Sequence, residues 1–179
     1  MNVYIWTDTP WTVTETYTFS WISGSSSQAT YNSIAKSWYK VLSVVIEGTW
    51  TPNDVLAWVY PRISYDTTRT YEWQLSFNIG SSNTWTFSWI RYRDTWWTNI
   101  DEYDIRSYVN YTTTNTYKMT FNRDWWLLTI NWTNLSGTYS SWMKTTIGTI
   151  MDSTTVQFRQ YVTNASMSTQ TVTVTYEQI

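Results

Sequence analysis

The stretch TYEWQLSFNIGSSNTWTFSWIRYR, residues 70–93, decides the fold. Its first half alternates, with Tyr71, Trp73, Leu75, Phe77 and Ile79 against Thr70, Glu72, Gln74, Ser76 and Asn78. Successive side chains on a strand face opposite sides, so this is a half-buried β-strand of about ten residues. Gly80-Ser81-Ser82-Asn83 reads as a turn. Beyond it Trp85, Phe87 and Trp89 alternate with Thr84, Thr86 and Ser88. Two such runs joined by a short Gly/Ser/Asn loop make an antiparallel hairpin with one dry aromatic face. One hairpin is not stable alone in water, so the rest of the chain must supply a second sheet to cover that face.

The flanking sequence supplies it. Trp11–Ile22 alternates Trp11, Val13, Tyr17, Phe19 and Trp21 with a line of Thr and Ser; Glu15 falls on the apolar side and is expected at a sheet rim. Ser37–Glu47 reads as a strand and Val55–Tyr60 as another, which Pro61 ends or places at an edge. Tyr117, Met119 and Phe121 form a second strong hairpin with Trp126, Leu128 and Ile130 around Asn122-Arg123-Asp124. Thr138–Met143 reads as a short strand, and Val156, Phe158 and Val162, then Val172, Val174 and Tyr176, close the chain with two more. Helix is expected for at most a turn near Asn32–Ala35. The prediction is an all-β, two-sheet antiparallel jelly-roll sandwich of about ten to twelve strands, one domain over residues 1–179.

Composition agrees with that class and narrows function. Fifteen Trp, fifteen Tyr, 34 Thr and 20 Ser leave only 13% charged residues, against about 25% in an ordinary domain. Hydroxyls and amides must therefore form the wet face. Net charge is −2, with no basic run of the kind a phosphate backbone needs, so no nucleic-acid partner is expected. Arg91-Tyr92-Arg93 is read as a strand end carrying solvated arginines. Without Cys or His the chain has no disulfide, no thiolate site and no Ser-His-Asp triad, and neither a metal nor a cofactor is expected. No run of eighteen apolar residues exists, so membrane insertion is not expected. MNVYIWTDTPW has neither a charged nor an apolar leader segment, so no secretory signal is expected.

The string Asp101-Glu102-Tyr103-Asp104-Ile105-Arg106-Ser107 carries the one chemically suggestive pattern, with Glu102 and Asp104 two apart on a strand and so on one face. Here the chain resembles the laminarinase-type glycoside hydrolases of the concanavalin-like fold, whose signature is Glu-x-Asp followed two or three residues later by a second Glu. The strand order of residues 70–179 looks similar as well. The resemblance implies Glu102 as nucleophile and Asp104 as its helper. The second Glu, however, falls at Arg106 or Ser107, neither of which can donate a proton as a carboxylic acid does. No enzyme is expected. The acidic pair is read instead as a surface feature balanced by Arg91, Arg93 or Arg106.

Adjacent tryptophans are the second constellation. Trp96-Trp97 and Trp125-Trp126 cannot both face one core, so one of each pair must point outward. An exposed indole suits either a pyranose face or a protein interface. Low charge, no disulfide and no leader segment lead, by elimination, to a structural subunit of a virus or phage particle (capsid, turret, spike or fibre). Its partners would be copies of itself or other shell proteins, and glycans, at the virion or extracellular surface. The alternative is a stand-alone carbohydrate-binding, lectin-like domain; a glycoside hydrolase comes third.

Overall fold

The computed structural model describes residues 11–24, 28–53, 57–65, 74–81, 87–93 and 99–179; residues 28, 29, 31, 74–81, 87–93 and 99–102 are described through their backbone. The first half of the chain forms β1 (Thr12–Phe19), β2 (Ile22–Gly24), β3 (Gln28–Ser33), β4 (Tyr39–Pro52), β5 (Ala57–Val59) and β6 (Arg62–Ser64). There follow β7 (Gln74–Ser81), β8 (Phe87–Arg93), β9 (Asn99–Asp104), a 3-10 turn at Arg106–Tyr108, β10 (Asn115–Asn122) and β11 (Trp125–Ile130). The rest is β12 (Thr133–Thr138), α1 (Ser141–Asp152), β13 (Gln157–Thr163), β14 (Ala165–Met167) and β15 (Gln170–Gln178). The fifteen strands among the described residues exceed the expected ten to twelve because two short strands, β2 and β14, add to one sheet and Pro61 divides another strand into β5 and β6.

The strands make two antiparallel sheets. Sheet A runs β1-β15-β4-β10-β11-β12, with β14 and β2 beside the end of β4; sheet B runs β3-β13-β5-β7-β8-β9, with β6 between β13 and β7. Val44, Ile46 and Trp50 of β4, Met119 and Phe121 of β10, Leu128 and Ile130 of β11 and Val172, Val174 and Tyr176 of β15 are fully buried. They face Val59, Ile63, Phe158 and Val162 of sheet B. Each side chain of this kind stabilises the fold by about 1.5–3 kcal/mol through removal from water. Rings join the sheets at both sides, Phe19 to Phe158 at 4.9 Å and Tyr103 to Trp126 at 5.2 Å. Gly137 of β12 leaves room for the Trp126 indole; a Cβ there would lie 2.7 Å from the ring. The outer face of sheet A is hydroxyl-covered, with Thr14 against Thr175 and Thr16 against Thr173.

Three local expectations change. Thr138–Met143 is not a strand: β12 stops at Thr138 and α1 begins at Ser141. Met143, Ile147, Ile150 and Met151, spaced as one helical face, are its buried residues. The helix carries the chain from the edge of sheet A to sheet B and closes that end of the sandwich. Arg123 fixes it there, donating to the Val41 carbonyl at 2.7 Å and to Asp152 at 2.5 Å, while Lys144 pairs with Asp124. Of the two places expected for Pro61, the end of a strand holds, since β5 stops at Val59, and the edge does not, since β5 and β6 both lie between β13 and β7. It is opposite Gln160 in the middle of sheet B and, lacking an N–H, interrupts the ladder.

The third change concerns the hairpin. The register places Leu75 opposite Tyr92, Phe77 opposite Ile90 and Ile79 opposite Ser88. Directly opposed residues share a face, so the rows that hold Leu75, Phe77 and Ile79 hold Ser88, Ile90 and Tyr92 instead of Phe87 and Trp89. The register inverts the parity that alternation alone suggests.

Glu15 lies at the rim, as its place in the pattern suggested, half-exposed and paired with Lys36. Tyr17 donates to Glu15 at 2.6 Å and meets the Tyr176 hydroxyl at 2.8 Å, which also reaches the Ile34 carbonyl. The Lys36 bond, then the Tyr17 bond, hold the Glu15 carboxyl below its usual range. Burial pushes both tyrosines up. A depressed carboxyl stabilises above its unfolded value, about pH 4.3, and that contribution is lost as pH falls through the folded value. Raised phenols stabilise fully below about pH 10, and this is lost as pH climbs toward their folded values. Urea midpoints against pH should therefore fall at both extremes. Glu15→Gln should flatten the acid limb and Tyr176→Phe the alkaline one; an unchanged profile in both variants would contradict the network.

Candidate functional site

The site lies on the outer face of sheet B, and β13 shows why. Val156, Phe158 and Val162 enter the core, so alternation sends Gln157, Arg159, Tyr161 and Thr163 to the other side. The neighbouring segment does the same with Trp58, Tyr60, Arg62 and Ser64 around the core residues Val59 and Ile63. Tyr60 and Tyr161 exchange both backbone hydrogen bonds, at 2.9 and 3.2 Å. Their rings stack at 5.1 Å, tilted by 19°, and Trp58 meets Tyr60 edge-on at 6.1 Å. The Arg62 guanidinium lies 5.8 Å from one tyrosine centroid and 6.0 Å from the other, within the range of cation–π attraction.

Cross-strand rows extend this arrangement over the sheet. One reads Tyr31, Arg159, Arg62, Ser76, Arg91 and Asp101. The next reads Ser33, Gln157, Ser64, Gln74, Arg93 and Asn99. On the other side Asn78 is opposite Trp89, and Trp89 opposite Asp104. Arg62 and Arg159 are 7% and 2% exposed, whereas Trp58, Tyr60, Tyr161 and Thr163 are half-buried. The face thus joins a partly open aromatic platform to a desolvated guanidinium pair and rows of amide and hydroxyl residues. Rings that fit the C–H side of a sugar, beside donors and acceptors that fix its orientation, are what a carbohydrate site requires.

Residues singled out in the sequence are placed differently. Trp96 and Trp97 lie outside the described residues. Trp126 is buried at 2% exposure and Trp125 exposed at 40%, the division that strand alternation demands of an adjacent pair. Trp125 stands on the outer face of sheet A, away from the platform. A register shift on β9 sets Asp101 opposite Arg91 and Tyr103 opposite Ile90, leaving Glu102 as the extra residue of a bulge. Simple two-residue spacing therefore does not carry Glu102 and Asp104 to one face. Asp104 is clasped by Arg106, whose Nε lies 2.9 and 2.8 Å from its two oxygens and whose Nη2 lies at 2.5 Å. This clasp holds the Asp104 carboxyl below its usual range. Arg106 and Ser107, where the second Glu of the hydrolase pattern would stand, belong to the 3-10 turn after the strand.

Trp58, Tyr60, Arg62, Arg159 and Tyr161 were missed by the sequence reading. Their signal was present, as Trp58-x-Tyr60-x-Arg62 and Gln157-x-Arg159-x-Tyr161 are the off-core halves of two alternating runs. A separate polar cavity of about 540 Å³, lined by Tyr65, Thr149, Asp152, Ser153, Thr154 and Thr155, opens beside the end of α1. Among the described residues no group of three His, Cys, Asp or Glu gathers as a metal site would need, and no helix is long and apolar enough to cross a membrane.

No protein-family model matches the sequence, and no curated protein does. Solved structures do. A homodimeric agglutinin from chicken liver, CG-16, superposes with a TM-score of 0.52 at 7% identity, over 81% of this chain and 99% of that one. A toad ovary galectin in complex with thio-digalactose follows at 0.47 and 8%, over 80% and 97%. The Crh5 transglycosylase in complex with NAG gives 0.45 and 13%, over 89% and 83%. At such identities the agglutinin match shows the fold: this chain is a concanavalin-like jelly-roll sandwich.

The Asp104–Arg106 clasp can be checked directly. Carboxyl chemical shifts followed by NMR should titrate below the usual aspartate midpoint of about 3.9 in the wild type and move up to it in Arg106→Ala. The same low midpoint in both proteins would show that Arg106 is not the cause.

Proposed function

We propose that this protein is a carbohydrate-binding sandwich that holds a glycan on the outer face of sheet B and does not cleave it. The observation that carries this reading is the half-open platform of Trp58, Tyr60 and Tyr161 bordered by Arg62. An aromatic plane contributes apolar contact to a sugar ring. The described acids support absence of turnover. Asp104 is committed to Arg106, Glu102 sits in a bulge, and Ser107 replaces the proton donor. A glycan array should therefore give binding that Tyr161→Ala and Trp58→Ala each weaken about tenfold or more, with circular dichroism unchanged and no reducing sugar released. No bound glycan, or full binding by both variants, would remove the reading; sugar release abolished by Glu102→Gln would replace it with hydrolysis.

A structural subunit, of a virus or phage particle or another shell, is the second reading, supported by the exposed indoles. Of nine tryptophans with described side chains only Trp50 and Trp126 are buried. Trp11, Trp38 and Trp132 are 76%, 77% and 91% exposed, and the last two are held at turns with φ of 68° and 71°. The Trp132 turn is braced from beneath. Buried Asn115 accepts from the Asn131 amide at 2.6 Å and from the Asn110 backbone at 2.7 Å, and donates to the Asn110 carbonyl at 2.6 Å. Large indoles fixed in solvent suit contacts with copies of the chain or with other subunits. Solution mass measures this: a subunit should assemble, and Trp125→Ser should reduce assembly while leaving the fold intact. A monomer at high concentration would set this reading aside without touching the first.

A further inference from the structure

We propose that Asn110 is an attachment site for an N-linked glycan, at an end of the sandwich that the fold presents for modification. The proposal goes beyond the carbohydrate-binding reading and does not depend on it: there the chain holds a sugar, here it carries one.

Placement in the fold leads to it. Four of the twelve asparagines head an Asn-x-Ser/Thr sequon: Asn110-Tyr111-Thr112, Asn131-Trp132-Thr133, Asn134-Leu135-Ser136 and Asn164-Ala165-Ser166. A chain so rich in Ser and Thr yields that share by chance, so the motif alone decides nothing. The fold, however, brings all four to one end. The Asn164 carbonyl accepts from the Asn53 backbone at 2.8 Å, just past the end of β4. Thr51 of that strand meets Thr114 at 2.8 Å, and the next residue, Asn115, bonds both Asn110 and Asn131. Asn134 lies just beyond the β11–β12 turn, its Oδ1 taking the Thr129 hydroxyl at 2.7 Å. Helix α1 is held at the opposite end, near the start of β4, through Arg123 and the Val41 carbonyl.

One of the four is built as an acceptor. Transfer needs an available carboxamide nitrogen, a hydroxyl two residues on, and a surface loop an enzyme can reach. Asn131 is committed elsewhere: its Nδ2 donates to the Tyr108 carbonyl at 3.0 Å and to Asn115 at 2.6 Å, and withdrawing it would strand both acceptors. Asn134 is fixed in the β12 ladder before buried Leu135, and Asn164 stands at a φ of 50° before buried Ala165. Asn110 and Thr112 are both exposed, in the loop between the 3-10 turn and β10. The Asn110 Oδ1 accepts from the Thr112 N–H and hydroxyl, each at 3.0 Å, and from the Thr113 N–H at 3.1 Å. This asparagine turn sets the threonine hydroxyl beside the carboxamide and leaves Nδ2 without a bond among the described residues. The co-reactant is a glycan carried on a lipid pyrophosphate. A bond forms from Nδ2 to the anomeric carbon as the anomeric C–O bond breaks. The lipid pyrophosphate leaves with the electron pair, and the Nδ2 proton passes to a base of the transferase.

Mass spectrometry of the denatured full chain, isolated from the cells that make it, should find a covalent glycan on the peptide holding Asn110 and none on Asn131. The folded chain, incubated with an oligosaccharyltransferase and a lipid-pyrophosphate oligosaccharide, should be labelled first at the same residue. Asn110→Asp keeps an oxygen for the turn and removes the nucleophile, whereas Thr112→Ala removes the hydroxyl. Each should abolish the Asn110 label with circular dichroism unchanged, and Thr112→Ser should restore it in part. Should Asn110→Asp fail to fold, Thr112→Ala and the peptide from the natural chain decide. Four short peptides, one per sequon, give the reference, and all should be labelled, because the discrimination comes from the fold. A natural chain without sugar at Asn110 overturns the inference. So does labelling of the folded chain that begins at another asparagine, or peptides that already single out Asn110. Sugar that persists on a threonine in Asn110→Asp counts against it as well. These readouts are covalent, so free-glycan binding to sheet B moves none of them and the two readings stand or fall separately.

Discussion

The outer face of sheet B depends on one register. From Thr163 opposite Trp58 to Gln157 opposite Ser64, β13 runs beside its neighbour without a slip, although Pro61 breaks the ladder midway. The paired bonds of Tyr60 and Tyr161 bridge the break on one side of the proline, and Arg62 opposite Arg159 resumes it on the other. A shift of one residue would turn Arg62, Arg159 and the two tyrosines into the core and bring Ile63 and Phe158 out. Guanidiniums set against an apolar core and hydrophobes turned out of it are both costly, so packing against sheet A enforces this register more strongly than the backbone bonds do.

That dependence explains what the sequence disclosed. Period-two runs such as Tyr117–Phe121 with Trp126–Ile130 are self-contained: a tight turn joins them and both inner faces are apolar, so pairing and burial are legible together. Glu15 was legible too, since a charge on an otherwise apolar edge can stay only where a cation and water reach it. The pairing of β7 with β8 was legible but not its parity, because alternation read within each run does not fix the register between them. Ser141–Asp152 was hidden by its threonines. Thr145, Thr146 and Thr149 favour strands on propensity, and the helix is held by Met143, Ile147, Ile150 and Met151 packing into the sandwich end.

The candidate site was the least legible part for the same physical reason. A search for chemistry looks for acids and unusual pairs, and so stops at Glu102, Asp104 and the doubled tryptophans. The platform is made of ordinary residues at ordinary strand spacing, on two stretches about a hundred positions apart in sequence. Only the register of β13 with β5 and β6 shows that their off-core halves share a surface. The bulge at Glu102 is likewise invisible in sequence, because a single extra residue leaves composition and motif unchanged.

Pairing between β1 and β15 has a temporal side. Thr14 and Thr175, in contact across that ladder, are 161 positions apart, and Tyr17 and Tyr176 are 159 apart. Closing so large a loop is entropically expensive until other contacts have drawn its ends together, and folds rich in such contacts assemble slowly. During synthesis β1 emerges well before its partner, so the earlier strand must wait unpaired with both edges open. An unpaired apolar strand invites association with other chains. The alternating threonines and the single carboxylate of Glu15 serve as gatekeepers over that interval, keeping the segment soluble until β15 arrives.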